Sequence, residues 1–123
     1  MTNNEMARQD VRHRSIRYKV GWWTLVLIAA LSLLNHVMGA LGLYEPGEEL
    51  VFIGYAAVSV YALAVLVVGY RRGERWAWWV TWAFVASYAL VPVFHGPEIG
   101  PYYMGAAVLM ALAQLATWPA FRR

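Results

Sequence analysis

Charge is missing from four long stretches of this chain, and that absence constrains the fold more than any other feature. Residues 20–43, 50–70, 76–94 and 101–120 contain no Asp, Glu, Lys or Arg. Each stretch is close to the roughly 20 residues an α-helix needs to cross a hydrocarbon layer about 30 Å thick. A backbone in lipid has no water to bond, so a spanning segment satisfies its own N–H and C=O groups, as a helix or within a closed barrel. Barrel strands run to about 10 residues and alternate polar with apolar side chains, which these stretches do not. The expectation is an all-α membrane protein, an up-down-up-down bundle of four transmembrane helices. Residues 1–19 form a basic cytoplasmic N-terminal segment, and residues 20–123 a single four-helix transmembrane domain. With 61% hydrophobic and 14% charged residues, the chain is suited to lipid as its solvent. The basic lead-in resembles a secretory signal, but the first stretch is too long for a signal core and is read as a retained helix.

Charge also sets orientation. Four crossings put all ten Lys and Arg on one side: Arg8, Arg12, Arg14, Arg17 and Lys19, then Arg71, Arg72 and Arg75, then Arg122 and Arg123. The opposite side carries Glu45, Glu48, Glu49 and Glu98. Cations are retained in the cytoplasm, so both termini are expected there, in a cell inner membrane. A potential of about 100 mV acts on each charge with about 2.3 kcal/mol, which disfavours the inverted arrangement. Trp22, Trp23, Trp76, Trp78, Trp79 and Trp118 fall at the basic level, where indole suits the headgroup zone, while Tyr44, Tyr102 and Tyr103 mark the other face. The cations Arg8, Arg12, Arg14, Arg17 and Lys19 abut a membrane helix, so they are read as contacts to anionic lipid, worth about 1 kcal/mol each. No nucleic-acid partner is expected.

The two halves echo one another. Trp22-Trp23-Thr24 recurs as Trp78-Trp79-Val80-Thr81, and Gly54, Ala56, Ala62 and Arg71-Arg72 stand at one constant offset from Gly105, Ala107, Ala113 and Arg122-Arg123. This is the pattern of two repeated helical hairpins about an axis along the membrane normal. The turns fit. Pro46-Gly47 is a turn dipeptide, Glu48 and Glu49 sit where a helix dipole favours acids, and Gly73 stops the second helix. Pro92 should kink or end the third helix, and Pro101 suits a first helical turn.

Polar residues within a membrane are the first functional suspects. Ser32, Asn35, His36 and Gly39 share one face of the first helix, and Thr81, Tyr88 and His95 fall at heptad spacing on the third. The second helix adds Tyr55, Ser59 and Tyr61, the fourth Gln114 and Thr117. Ser32, Asn35, His36, Tyr88 and His95 are the candidate ligand-binding set. The competing reading makes them hydrogen-bonding glue between helices, worth about 0.6 to 2 kcal/mol each. His95, Glu98, Glu45 and Glu48 form a weaker candidate metal set at the outer rim, since imidazole and carboxylate suit zinc-like ions. No cofactor is expected. Haem is disfavoured because His36 and His95 differ in depth by roughly 10 Å at about 1.5 Å per residue. The chain has no cysteine, which excludes disulfides and thiolate chemistry. It also lacks a phosphate-binding loop, a dinucleotide glycine pattern and a zinc-protease helix.

The run from Arg71 to Trp79, Arg-Arg-Gly-Glu-Arg-Trp-Ala-Trp-Trp after a glycine-bearing apolar helix, resembles a segment of small, uncharacterised four-helix bacterial inner-membrane proteins, loosely DoxX-like in layout. The resemblance covers one helical hairpin and implies a fold but no activity. The expected role is a non-enzymatic accessory or self-assembling membrane component, as a homo-oligomer or within a larger membrane complex. Gly39, Gly54, Ala57, Gly105, Ala107 and Ala111 supply its close-packing faces. Two alternatives stand beside it: a binding protein or enzyme for a small apolar ligand, such as a lipid or quinone, with a pocket around His36, and an oligomeric pore.

Overall fold

The structure, a computed structural model, describes residues 1–6 and 15–122, the side chains of residues 95 and 96 excepted. Four of its helices are long and apolar enough to cross a membrane: Ile16–Ala40, Glu49–Tyr70, Arg75–Phe94 and Pro97–Ala120. Among the described residues there is no strand.

The first helix starts earlier than the apolar pattern implies, because Ser15 caps it by accepting the Tyr18 amide at 3.3 Å. It ends at Ala40 rather than at residue 43. Gly42 takes φ of 75°, the Gly42 amide bonds the Gly39 carbonyl and the Leu43 amide bonds the Met38 carbonyl, the two bonds of a glycine-terminated helix end. Gly73, at φ of 73°, closes the second helix with the same pair of bonds, to Tyr70 and from Glu74 to Gly69. The last stretch of that helix, Val65–Tyr70, widens into a π-helix. Its Leu66 carbonyl accepts both the Arg71 amide at 3.2 Å and the indole N–H of Trp22 at 2.9 Å.

Helical geometry persists from Arg75 to Thr117, through Pro92, Pro97 and Pro101. A straight helix would hold Trp78 and Gln114 about 54 Å apart at about 1.5 Å per residue. Instead they bond reciprocally: the Trp78 indole donates to the Gln114 carbonyl at 3.1 Å, and Gln114 Nε2 to the Trp78 carbonyl at 2.9 Å. The chain therefore folds back between its third and fourth helices. Each proline lacks an N–H and clashes with the preceding turn, so three together permit the bend. Gly100 lies against Pro92 there, where an added Cβ would come within 3.1 Å.

Glycines set the close contacts. A Cβ on Gly21 would stand 2.8 Å from the Ala113 carbonyl, and one on Gly39 2.3 Å from the Phe52 ring. The second helix and the 75–120 hairpin both pack along the first helix. They touch each other mainly at the π-helical end, where Tyr18, Tyr70 and Phe121 cluster and the Tyr70 and Phe121 rings lie 4.7 Å apart. The same end holds a buried polar knot. Tyr18 donates to the Tyr70 carbonyl at 3.0 Å, and the Tyr70 hydroxyl donates to Gln114 Oε1 at 2.7 Å and meets the Thr117 hydroxyl. Arg17, Lys19, Arg71, Arg72, Arg75 and Arg122 surround this end, while Glu45, Glu48, Glu49 and Glu98 occupy the other.

Tyr70→Phe leaves Gln114 Oε1 without its donor in a buried site, a loss of about 1–3 kcal/mol. Its thermal unfolding midpoint in detergent should fall clearly below wild type, whereas Tyr61→Phe, at a residue 75% exposed, should leave it unchanged.

Candidate functional site

Away from the knot, the second helix and the hairpin diverge, and a cavity of about 750 Å³ opens between them and the first helix. Its walls are chiefly apolar, from Ile28 and Leu31 on the first helix to Val58, Phe84, Val91 and Ala106 on the others. Into it come Ser32, Asn35, His36, Ser59, Tyr88 and Tyr103, one polar set drawn from all four helices.

His36 is at the centre. Its side chain is buried, with Nδ1 at 3.2 Å from Ser59 Oγ and Nε2 at 3.1 Å from the Tyr103 hydroxyl. Ser59 spends its only hydroxyl hydrogen on the Tyr55 carbonyl, at 3.1 Å. Ser59 Oγ must then accept from His36, so the ring carries its hydrogen on Nδ1 and accepts from Tyr103 at Nε2. A directed chain results, from the Tyr103 hydroxyl through the imidazole and Ser59 to a backbone carbonyl. Phe52 and Tyr55 wall the ring, with centroids at 6.3 and 5.3 Å.

Two shorter chains lie beside it. The Tyr88 hydroxyl donates to Ser32, which donates to the Ile28 carbonyl at 2.7 Å. Tyr44, from the loop after the first helix, donates to Asn35 Oδ1 at 2.7 Å, which points the amide NH₂ of Asn35 away from that bond. The rings of Tyr88 and Tyr103, from the third and fourth helices, meet at a tilt of 44° with centroids 5.1 Å apart.

Of the candidate ligand residues, Ser32, Asn35, His36 and Tyr88 line this one space, while the side chain of His95 lies outside the described residues. Of the candidate metal residues, Glu45 stands at the cavity rim and Glu48 and Glu98 are exposed. Among the described residues no three His, Asp or Glu gather as a metal site. Both nitrogens of His36 are engaged by protein groups, Ser59 and Tyr103. Arg17 and Lys19 are exposed at the start of the first helix, and Arg8, Arg12 and Arg14 lie outside the described residues.

Sequence reasoning missed Tyr103, reading it only as an interfacial marker, and gave Ser59 no special weight. A signal for Tyr103 existed. It precedes Met110 and Thr117 at heptad spacing, so it shares the inward face to which Gln114 also belongs. Comparison of the chain with protein-family models, curated proteins and solved structures finds no match in any of the three.

In protein labelled with ¹⁵N at histidine, the resonance of His36 should be that of the Nδ1–H tautomer. Tyr103→Phe, which removes the donor to Nε2, should perturb the Nε2 signal far more than Tyr102→Phe. An Nε2–H tautomer in the wild type would contradict the hydrogen-bond direction derived above.

Proposed function

We propose that this chain is a multi-pass inner-membrane protein, built as an up-down-up-down bundle of two repeated hairpins, that binds a small apolar molecule through a polar head in the cavity around His36. One observation carries the reading: a space of about 750 Å³, within the range of small-molecule pockets, has apolar walls and one convergent set of hydroxyl, imidazole and amide groups. The hydrogen bonds that join these residues across helices leave that space open beside them. The accessory role expected from small size and short loops is secondary to this.

The repeat is supported by equivalent contacts. Trp22 and Trp78 each open a hairpin and each send an indole N–H to a carbonyl of the following helix, Leu66 in one and, in the other, Gln114, three residues before the position that matches Leu66. Buried Ser59, Leu66, Gly69 and Tyr70 stand at the same offset from buried Met110, Thr117, Ala120 and Phe121. Gly54 and Gly105 are matched as well, and a Cβ on either would meet nothing within 4 Å. Those free small-residue faces support a second role in contact between protomers.

Orientation rests on the cations. The natural chain has no cysteine, so single substitutions report cleanly. In intact cells Glu48→Cys should react with a membrane-impermeant maleimide, and Glu74→Cys should react only after lysis; the reverse pattern would invert the proposed topology.

Native mass spectrometry of protein extracted gently from its own membrane reads ligand and stoichiometry together. A retained small molecule is expected, with occupancy lowered about tenfold by His36→Ala, the equivalent of about 1.4 kcal/mol. Wild type without any bound mass, under conditions that keep lipids on other membrane proteins, would count against the pocket. A bare protein held in a larger complex would favour the accessory role instead.

A further inference from the structure

Beside the cavity, between the second and third helices, runs a narrower groove of about 200 Å³. Val58, Phe84 and Ser87 line both spaces, so cavity and groove adjoin along that wall. The groove extends along the second helix from Val58 to Val65, roughly 10 Å at about 1.5 Å per residue. Its walls are almost wholly apolar, with Ala62, Val65, Val80 and Ala83 among them, and Val58, Val80 and Ala83 are exposed on the bundle's flank. A hydrocarbon chain entering sideways from lipid would meet almost only apolar walls there.

The head chemistry is equally restricted. Tyr44, Tyr88, Tyr103, Ser32 and Ser59 all commit their hydroxyl hydrogens to protein acceptors. The Asn35 amide NH₂ meets no partner among the described residues and is available to a guest, while the oxygens of Tyr88 and Tyr103 can still accept. Among the described residues no Lys or Arg lines the cavity, and the one acid that does, Glu45, is at the rim. An anionic head would be desolvated there without a counter-charge, which is strongly unfavourable.

We infer that the cleft takes an uncharged single-chain amphiphile, with an alcohol or carbonyl head between Asn35 and Tyr103 and an extended hydrocarbon tail in the groove between the second and third helices. The inference rests on the ligand-binding reading above and adds the class of ligand and the path of its tail.

The test uses the full chain in lipid nanodiscs and a hexadecan-1-ol probe carrying a mid-chain diazirine and a terminal alkyne. Photolysis should place saturable adducts on Val58, Ala62, Val80 or Ala83. Ala83→Trp, which fills the groove from its exposed side, should reduce labelling about tenfold, while Ala86→Trp, exposed but outside the groove, should not. Unlabelled hexadecan-1-ol should displace the probe at a concentration at least tenfold below that needed of hexadecyl phosphate. Equal or better competition by the phosphate overturns the uncharged head. Identical behaviour of the two tryptophan variants, or a short octan-1-ol diazirine labelling the cavity as well as the long probe does, overturns the tail track and leaves ligand binding standing. Absence of saturable labelling by either probe overturns ligand binding itself.

Discussion

Tyr70 ties the end of the second helix to both the first helix and the fourth. Its hydroxyl reaches Gln114 and Thr117 on the fourth helix, its carbonyl takes the Tyr18 hydroxyl from the first, and its ring rests on Phe121. In lipid, apolar contact gives helices little reason to associate, since the tails of the bilayer are equally apolar. Close packing and buried hydrogen bonds remain, and Tyr70 combines both. The π-helical turn that carries it also supplies the carbonyl of Leu66 to Trp22, so an irregular backbone becomes an acceptor for a neighbouring helix.

Anchoring at one end explains the opening at the other. Gly21 brings the first helix against the fourth, and Gly39 brings it against Phe52 of the second, so both partners follow the first helix closely. Neither contact joins the second helix to the third. Between those two the walls are Val58, Phe84 and Ser87, with no hydrogen bond among them across the gap, and the cleft is what remains. Within it the polar groups are held by one another: His36 by Ser59 and Tyr103, Ser32 by Tyr88, and Asn35 by Tyr44. Such mutual satisfaction lets a polar surface persist at membrane depth without water.

Much of this architecture was legible in the chain because it depends on what is absent over long distances. Uncharged runs of membrane length define the helices, and Gly73 marks a helix end through its backbone conformation. Local rules reached less far at the hairpin tip, where Pro92 and Pro101 suggested an end and a new start and helical geometry instead continues through a bend. Ser32, Asn35, His36 and Tyr88 could be named from polarity in an apolar context. The partners of His36 could not, because Ser59 and Tyr103 lie far away in sequence and are ordinary residues where they stand. The π-helix was similarly hidden: nothing in Val65-Leu66-Val67-Val68-Gly69-Tyr70 departs from a regular apolar helix until Trp22 and Gln114 are placed beside it.

The uncharged interior has an electrical consequence. From the level of Lys19 to that of Glu49 no Asp, Glu, Lys or Arg is carried within a helix, so sliding or tilting of one helix against another moves none of these charges through the transmembrane field. Voltage therefore has little purchase on the width of the cleft. In a bilayer, the forces that would act on it are mechanical: the thickness of the membrane, and the lateral pressure of lipid on the flank where the second and third helices part.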